Sequence, residues 1–226
     1  MSNAGPRICA VWALCAGLSV AACAGDDAQP DPGDGQAGSS PRADGGGQLV
    51  DGATGDSATA SGGGACNVVT RAHPLGAPTH VAQPLPASDY SSSPPSSGSH
   101  CAVWGRYGAY TDASPLPACN FVHNLEHGAV VVLYNCPDGC DDVVTALEEA
   151  IDAAGPDPDC AQSGGKRVVL TPYADMEAEV AASAWGFTFT ADCLDEAASA
   201  ALTAFIQDHW GSRGQAPEAT ICAQGG

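Results

Sequence analysis

The sequence predicts an α+β domain: a small mixed sheet with two helices and a Pro/Ser-rich N-terminal wrapping loop, disulfide-stabilised. Three observations point there. Two β-branched runs, Ala129 to Tyr134 and Arg167 to Thr171, flank a segment with helical spacing. Eight cysteines fall in the last 161 residues, an even number that suits bridges. The composition changes abruptly near residue 65, so one core is expected from the remainder of the 226 residues.

Residues 1–22 read as a signal peptide. After Arg7 the apolar run Ile8 to Ala22 is too short to span a bilayer as a helix but has the length of a signal core. It ends in Val20, Ala21, Ala22, Cys23, which resembles the bacterial lipobox, where the cysteine is lipidated and becomes the first residue of the mature chain. Acyl chains on Cys23 would anchor the protein to a membrane surface, since each buried methylene contributes about 0.8 kcal/mol. Ala24, not Asp, follows the cysteine. The expected address is therefore the cell envelope, lipid-anchored, with the outer membrane favoured over the inner.

Residues 23–65 are the lipidated cysteine and a disordered Gly/Asp-rich linker. From 24 to 65 there are twelve glycines, no aromatic residue and seven Asp against Arg42 alone. Such a segment buries too little surface to offset the entropy of ordering, and like charges keep it extended.

The globular domain is then 66–226. Once Cys9 and Cys15 leave with the signal and Cys23 takes lipid, Cys66, Cys101, Cys119, Cys136, Cys140, Cys160, Cys193 and Cys222 remain. In an exported domain these read as disulfides, because a zinc cluster would need a closer pair than the Cys-x-x-x-Cys of Cys136 and Cys140. Eight cysteines allow 105 pairings, among which sequence alone does not choose; chain proximity favours Cys101 with Cys119 and Cys136 with Cys140, and Cys160 with Cys193 and Cys66 with Cys222 would then close the set. Residues 67 to 120, rich in Pro and Ser, are expected to wrap the sheet mostly as loop. Ala129 to Tyr134 is a strand buried on both faces. The first helix follows, with Asp141 and Asp142 in its first turn, Val144, Leu147 and Ile151 on one face, and Gly155-Pro156 as its stop. Arg167 to Thr171 is the next strand, parallel to the first through a crossover. Val180 to Thr190 is read as a third strand. Asp192 is expected to cap the second helix, which carries Leu202, Phe205 and Ile206 and ends at Gly211.

Charge excludes one class of partner. With 26 acidic residues against 7 Lys and Arg the net charge is −19, so nucleic acid is not expected. Chemistry points to the histidines. All six (His73, His80, His100, His123, His127 and His209) lie in the globular part, and His123-Asn124-Leu125-Glu126-His127-Gly128 brackets a carboxylate with two imidazoles. The H-x-x-E-H spacing is shared with inverzincin metalloproteases, but neither their long helix nor their size is found here. Local conformation decides what the spacing can do: four residues apart on a helix, two side chains share one ion. On a strand they stand roughly 13 Å apart and do not.

The ordered motifs of the domain resemble a bacterial family of unknown function, domain family 3105. They are Pro94, Pro95, Ser97, Gly98 and His100; Trp104, Gly108 and Tyr110; His123 to Gly128 running into an apolar strand; Thr171 and Pro172; and Ala184, Trp185 and Gly186. His80 followed by Val81 is similar to the start of the pattern. Ser96 and Ser99 depart from the usual Thr and Pro. The resemblance spans about residues 80 to 210 and implies no established activity.

Three readings of the site therefore stay open. The first is a metal site of His100, His123 and His127 with His80 as fourth ligand and Glu126 as ligand or supporting base, suited to Cu(II) or Zn(II). In the second, Glu126 is the general base of a metal-dependent hydrolase. The third is a structural or adhesin-type surface domain whose histidines satisfy buried backbone groups. His73 and His209 read as surface or loop residues. The membrane, through the lipid, is the expected partner, nucleic acid is not, and protein partners are left open.

Overall fold

The computed structural model describes residues 58–61, 65–137, 140–160, 165–211, 215–220 and 222. The expected signal peptide, Cys23 and the linker up to 57 lie outside the described residues. In chain order the elements are β1 (Ala58–Ser61), β2 (Val68–Ala72), β3 (His80–Val81), β4 (His100–Cys101), β5 (Gly108–Ala109), α1 (Ala118–Glu126), β6 (Val130–Tyr134), α2 (Asp141–Ala153), β7 (Val168–Pro172), β8 (Val180–Ala184), β9 (Phe187–Ala191) and α3 (Glu196–His209). Seven strands form one mixed sheet in the order β1-β2-β9-β8-β6-β7-β5, and β3 pairs with β4 in a separate parallel ladder.

Strand β6 organises the domain. All five of its residues are buried, and because successive side chains alternate between faces they feed two cores. Val130, Val132 and Tyr134 pack with Leu147 of α2 and with Leu202, Phe205 and Ile206 of α3. Val131 and Leu133 pack on the other face with Phe121, Val122 and Leu125 of α1 and with Trp185. A strand covered on both sides has no polar face to show, which is why the run reads VVVLY without alternation. Strand β7 lies parallel to β6, with Val132 opposite Leu170, as the β6-α2-β7 crossover requires.

The α+β class, the mixed sheet and the disulfide staples are as the sequence predicts, and several details differ. Val180 to Thr190 is a hairpin rather than one strand: Ala184 pairs with Phe187, and the two-residue turn places Gly186 at φ +83°. That left-handed geometry suits glycine, and Leu75 closes over it, so that a Cβ there would meet Leu75 Cδ2 at 2.5 Å. Asp195, not Asp192, caps α3 by accepting from Ala198 N at 2.8 Å. Asp192 instead accepts from Asn67 N. Residues 67–120 contain β2 as a full member of the sheet, and Ala58–Ser61, at the end of the expected linker, pairs with it. A third helix, α1, joins the two foreseen.

Two bridges, Cys101–Cys119 and Cys136–Cys140, are those expected, and the other two exchange partners as Cys66–Cys193 and Cys160–Cys222. The reason is register. In the antiparallel β2·β9 ladder Val68 faces Ala191, so two residues further out Cys66 faces Cys193, with Cα atoms 5.2 Å apart. That leaves Cys222 to reach Cys160.

The Pro/Ser-rich loop wraps the α1 side of the sheet. Its residues Pro94 to Gly98 are buried, Ser96 O accepts from Gly186 N, and Ser97 Oγ accepts from Gly76 N. Gly76 lies so close over Gly98 that a Cβ would stand 2.6 Å from its Cα. This crossing aims His100 at α1.

Candidate metal centre

Helix α1 carries its polar residues inward. His123, Asn124 and Glu126 are all buried, together with Phe121, Val122 and Leu125, and each polar group has a task. Asn124 exchanges two hydrogen bonds with the backbone of Gly105, one from its amide to the carbonyl and one back from the Gly105 N–H, both 2.8 Å. Leu125 fills the apolar core. His123 and Glu126, one turn apart, present their polar ends to the same space.

The other two members come from the β3·β4 ladder. Parallel register sets His80 beside His100 and Val81 beside Cys101. Cys101 is bridged to Cys119 in the first turn of α1, and its carbonyl accepts from His123 Nδ1 at 2.7 Å. A strand of two residues thus supplies an imidazole, orients a second and is covalently tied to the helix bearing that second one.

His80, His100, His123 and Glu126 each offer one donor atom, all within 4.8 Å of one another. The carboxylate oxygen Glu126 Oε2 lies 2.9 Å from His100 Nε2, 3.8 Å from His123 Nε2 and 3.9 Å from His80 Nε2. His100 Nδ1 is spent on the Gly98 carbonyl at 2.8 Å. Because a carbonyl only accepts, Nδ1 of both His100 and His123 carries a proton, and Nε2 of each ring is turned toward Glu126. Neither His100 Nε2 nor Glu126 Oε2 has a hydrogen-bond partner among the described residues. With both Nδ1 atoms committed to carbonyls, the Nε2 atoms and the Glu126 carboxylate are left facing one buried space, a donor set that a bound cation would satisfy.

His127, expected as a ligand, stays outside this group. It follows the last residue of α1, and its ring stacks on His123 with centroids 4.8 Å apart and lies against Trp104 at 4.4 Å. Its Nδ1 faces Glu218 at 3.5 Å. The sequence reading overlooked what holds this end of the helix. Gly128, at φ +76°, turns the chain from α1 into β6, and its carbonyl accepts from Gly211 N. Buried Arg167 donates to the carbonyls of His127 and Ala219 and pairs with Asp157. Glu126 O accepts from Glu218 N. The segment ending at Cys222 thereby clamps the turn that aims Glu126.

His73 and His209 lie elsewhere and are not free surface groups. His73 Nε2 meets Thr188 Oγ1 at 2.8 Å. His209 is the last residue of α3, stacked on Phe205 at 4.2 Å.

A family model described as "Protein of unknown function (DUF3105)" matches residues 82–224, more than half of the chain. The chain belongs to that family. The match includes His100, His123 and Glu126 and begins two residues after His80. No curated protein and no solved structure matches the chain.

Burial shifts the titration of His123. His123 is pushed down to about 4, chiefly by loss of water, against the pull of the Cys101 carbonyl. Burial also lowers His127 and His209. An unfolded imidazole titrates near 6.5, so on acidification the unfolded chain takes up protons first. The stability held by these neutral rings is complete above about pH 6.5 and declines as pH falls toward about 4. With metal removed by chelator, the denaturation midpoint should therefore drop between pH 7.5 and 5.0; an equal or higher midpoint at pH 5.0 would contradict this assignment.

Proposed function

We propose that the domain is a metal-binding module in which His80, His100, His123 and Glu126 hold one Zn(II) or Cu(II) ion, displayed on the cell envelope by a lipid anchor on Cys23. The observation that carries the metal reading is the pairing of two Nδ1 protons with backbone carbonyls. It leaves Nε2 of His100 and His123 to converge on a carboxylate. Backbone carbonyls commonly orient ligating histidines in this way. Imidazole and carboxylate donors suit zinc and copper, and an ion bound there would balance the charge of Glu126.

Binding without chemistry is favoured over hydrolysis. Three imidazoles and a carboxylate complete a tetrahedron, the closed form typical of structural zinc, whereas a catalytic site keeps one position for water. A general base must also stand free of the metal, and Glu126 Oε2 lies in the middle of the imidazoles. The His80 side chain is 54 % exposed, making it the ligand nearest solvent and the side from which an ion would enter. Export is supported by the signal-like run before Cys23 and by four bridges, which suit an oxidising compartment.

Titration of the full chain, free of any affinity tag, against a competing chelator should return one ion per chain. His123→Ala and Glu126→Gln should each weaken affinity by more than about 100-fold, beyond the effect usual for residues that only support ligands. His73→Ala should leave it unchanged. If Glu126→Gln keeps the affinity and abolishes a hydrolytic activity, the general-base reading replaces this one; a wild-type chain that takes up no metal would leave the histidines a structural role. Separately, Cys23→Ser should move the protein from the membrane fraction to the soluble exported fraction, and unchanged partitioning would refute the anchor.

A further inference from the structure

Three of the four bridges join distant parts of the chain, with sequence separations of 18, 62 and 127. Cys136–Cys140 spans 4 residues and fastens the end of β6 to the start of α2, which are already adjacent. A ring this small removes the least entropy from the unfolded chain, so stabilisation alone gives this bridge the weakest reason to exist.

Its position suggests another. Cys140 is the N-cap of α2, a place where Ser, Thr, Asp or Asn would serve better, and its side chain makes no capping hydrogen bond. A thiolate there would meet the positive end of the helix and its unpaired N–H groups. Asp141 and Asp142, both exposed in the first turn, oppose that charge from the solvent side. Cys136 is the more exposed residue of the two: it is partly exposed, whereas Cys140 is 6 % exposed. The pair also sits at the strand-to-helix turn of a parallel β-α-β unit, a place where Cys-x-x-Cys motifs are redox-active, although here three residues rather than two separate the cysteines.

We propose that Cys136 and Cys140 form a redox-active pair that exchanges disulfides with dithiols of other polypeptides. A thiolate of the partner attacks Cys136 Sγ, the bond to Cys140 breaks, and its electron pair leaves on Cys140, which takes a proton. The partner is then joined to Cys136 as a mixed disulfide. Its second thiol loses its proton and attacks the partner sulfur of that bond, and Cys136 departs as a thiolate and is protonated. Two partner thiols become a disulfide, and Cys136 and Cys140 gain two electrons and two protons. The proposal does not depend on metal at the α1 site, because its sulfurs lie at the start of α2.

The test equilibrates the oxidised full chain in reduced and oxidised glutathione at graded ratios, traps thiols with an alkylating agent and maps them by mass spectrometry. Cys136 and Cys140 should become alkylated at ratios that leave the other three bridges closed, as expected of a labile rather than a structural disulfide. The oxidised chain should also convert a reduced two-cysteine peptide to its disulfide, and in Cys140→Ser glutathione should accumulate on Cys136. Opening only together with the other bridges would overturn the proposal. So would selective opening without oxidation of the peptide, and the wild-type measurements decide even if the variant fails to fold.

Discussion

Glu126 places a carboxylate at the inner end of α1, 5 % exposed and surrounded by imidazoles, and a charge so placed is tolerated only against a compensating one. Much of the domain serves that constraint. The β3·β4 ladder sets His80 beside His100, and the Cys101 carbonyl at its end orients His123. Cys101–Cys119 ties the ladder to α1. The Pro/Ser-rich loop crosses itself at Gly76 and Gly98, and the Gly98 carbonyl orients His100.

The far end of the helix is held as firmly. After Glu126 the chain must leave α1, reverse through Gly128 and enter β6 at the centre of the sheet within four residues. A Cβ on Gly128 would stand 2.8 Å from the Gly211 Cα and 3.1 Å from Arg167 Nη1. Arg167, buried against Asp157, gathers the carbonyls of His127 and Ala219 around this turn. Breaking a buried pair of this kind strands a charge and is costly, so Arg167, just before β7, and the C-terminal segment both bear on where Glu126 points.

The sheet's centre was legible in the sequence because burial on two faces leaves an unbroken apolar run, and β6, α2, β7 and α3 all announce themselves in this way or by helical spacing. Helix α1 did not. It is nine residues long, and Pro117 at its N-cap offers no side-chain hydrogen bond, so neither length nor a capping residue marks it, although Phe121, Val122 and Leu125 keep an apolar face. The histidine cluster was legible in its members His80, His100 and His123. The sequence leaves Glu126 between two roles that the position of its oxygen separates, and spacing alone does not tell a residue inside the last turn, such as Glu126, from one just past it, such as His127. Arg167 read as the first residue of a strand, since nothing local distinguishes a guanidinium that reaches across the fold. The exchanged bridges needed a register that only the pairing of β2 with β9 supplies, and Gly186 was the one local sign that Val180 to Thr190 reverses.

X-ray absorption at the zinc or copper edge of the metal-loaded full chain tests the central claim most directly. The account predicts a first coordination shell of three imidazole nitrogens and one carboxylate oxygen at about 2.0–2.2 Å for zinc, with one imidazole lost in His80→Ala. A shell that loses an imidazole in His127→Ala instead, or one made of water oxygens alone, would contradict it.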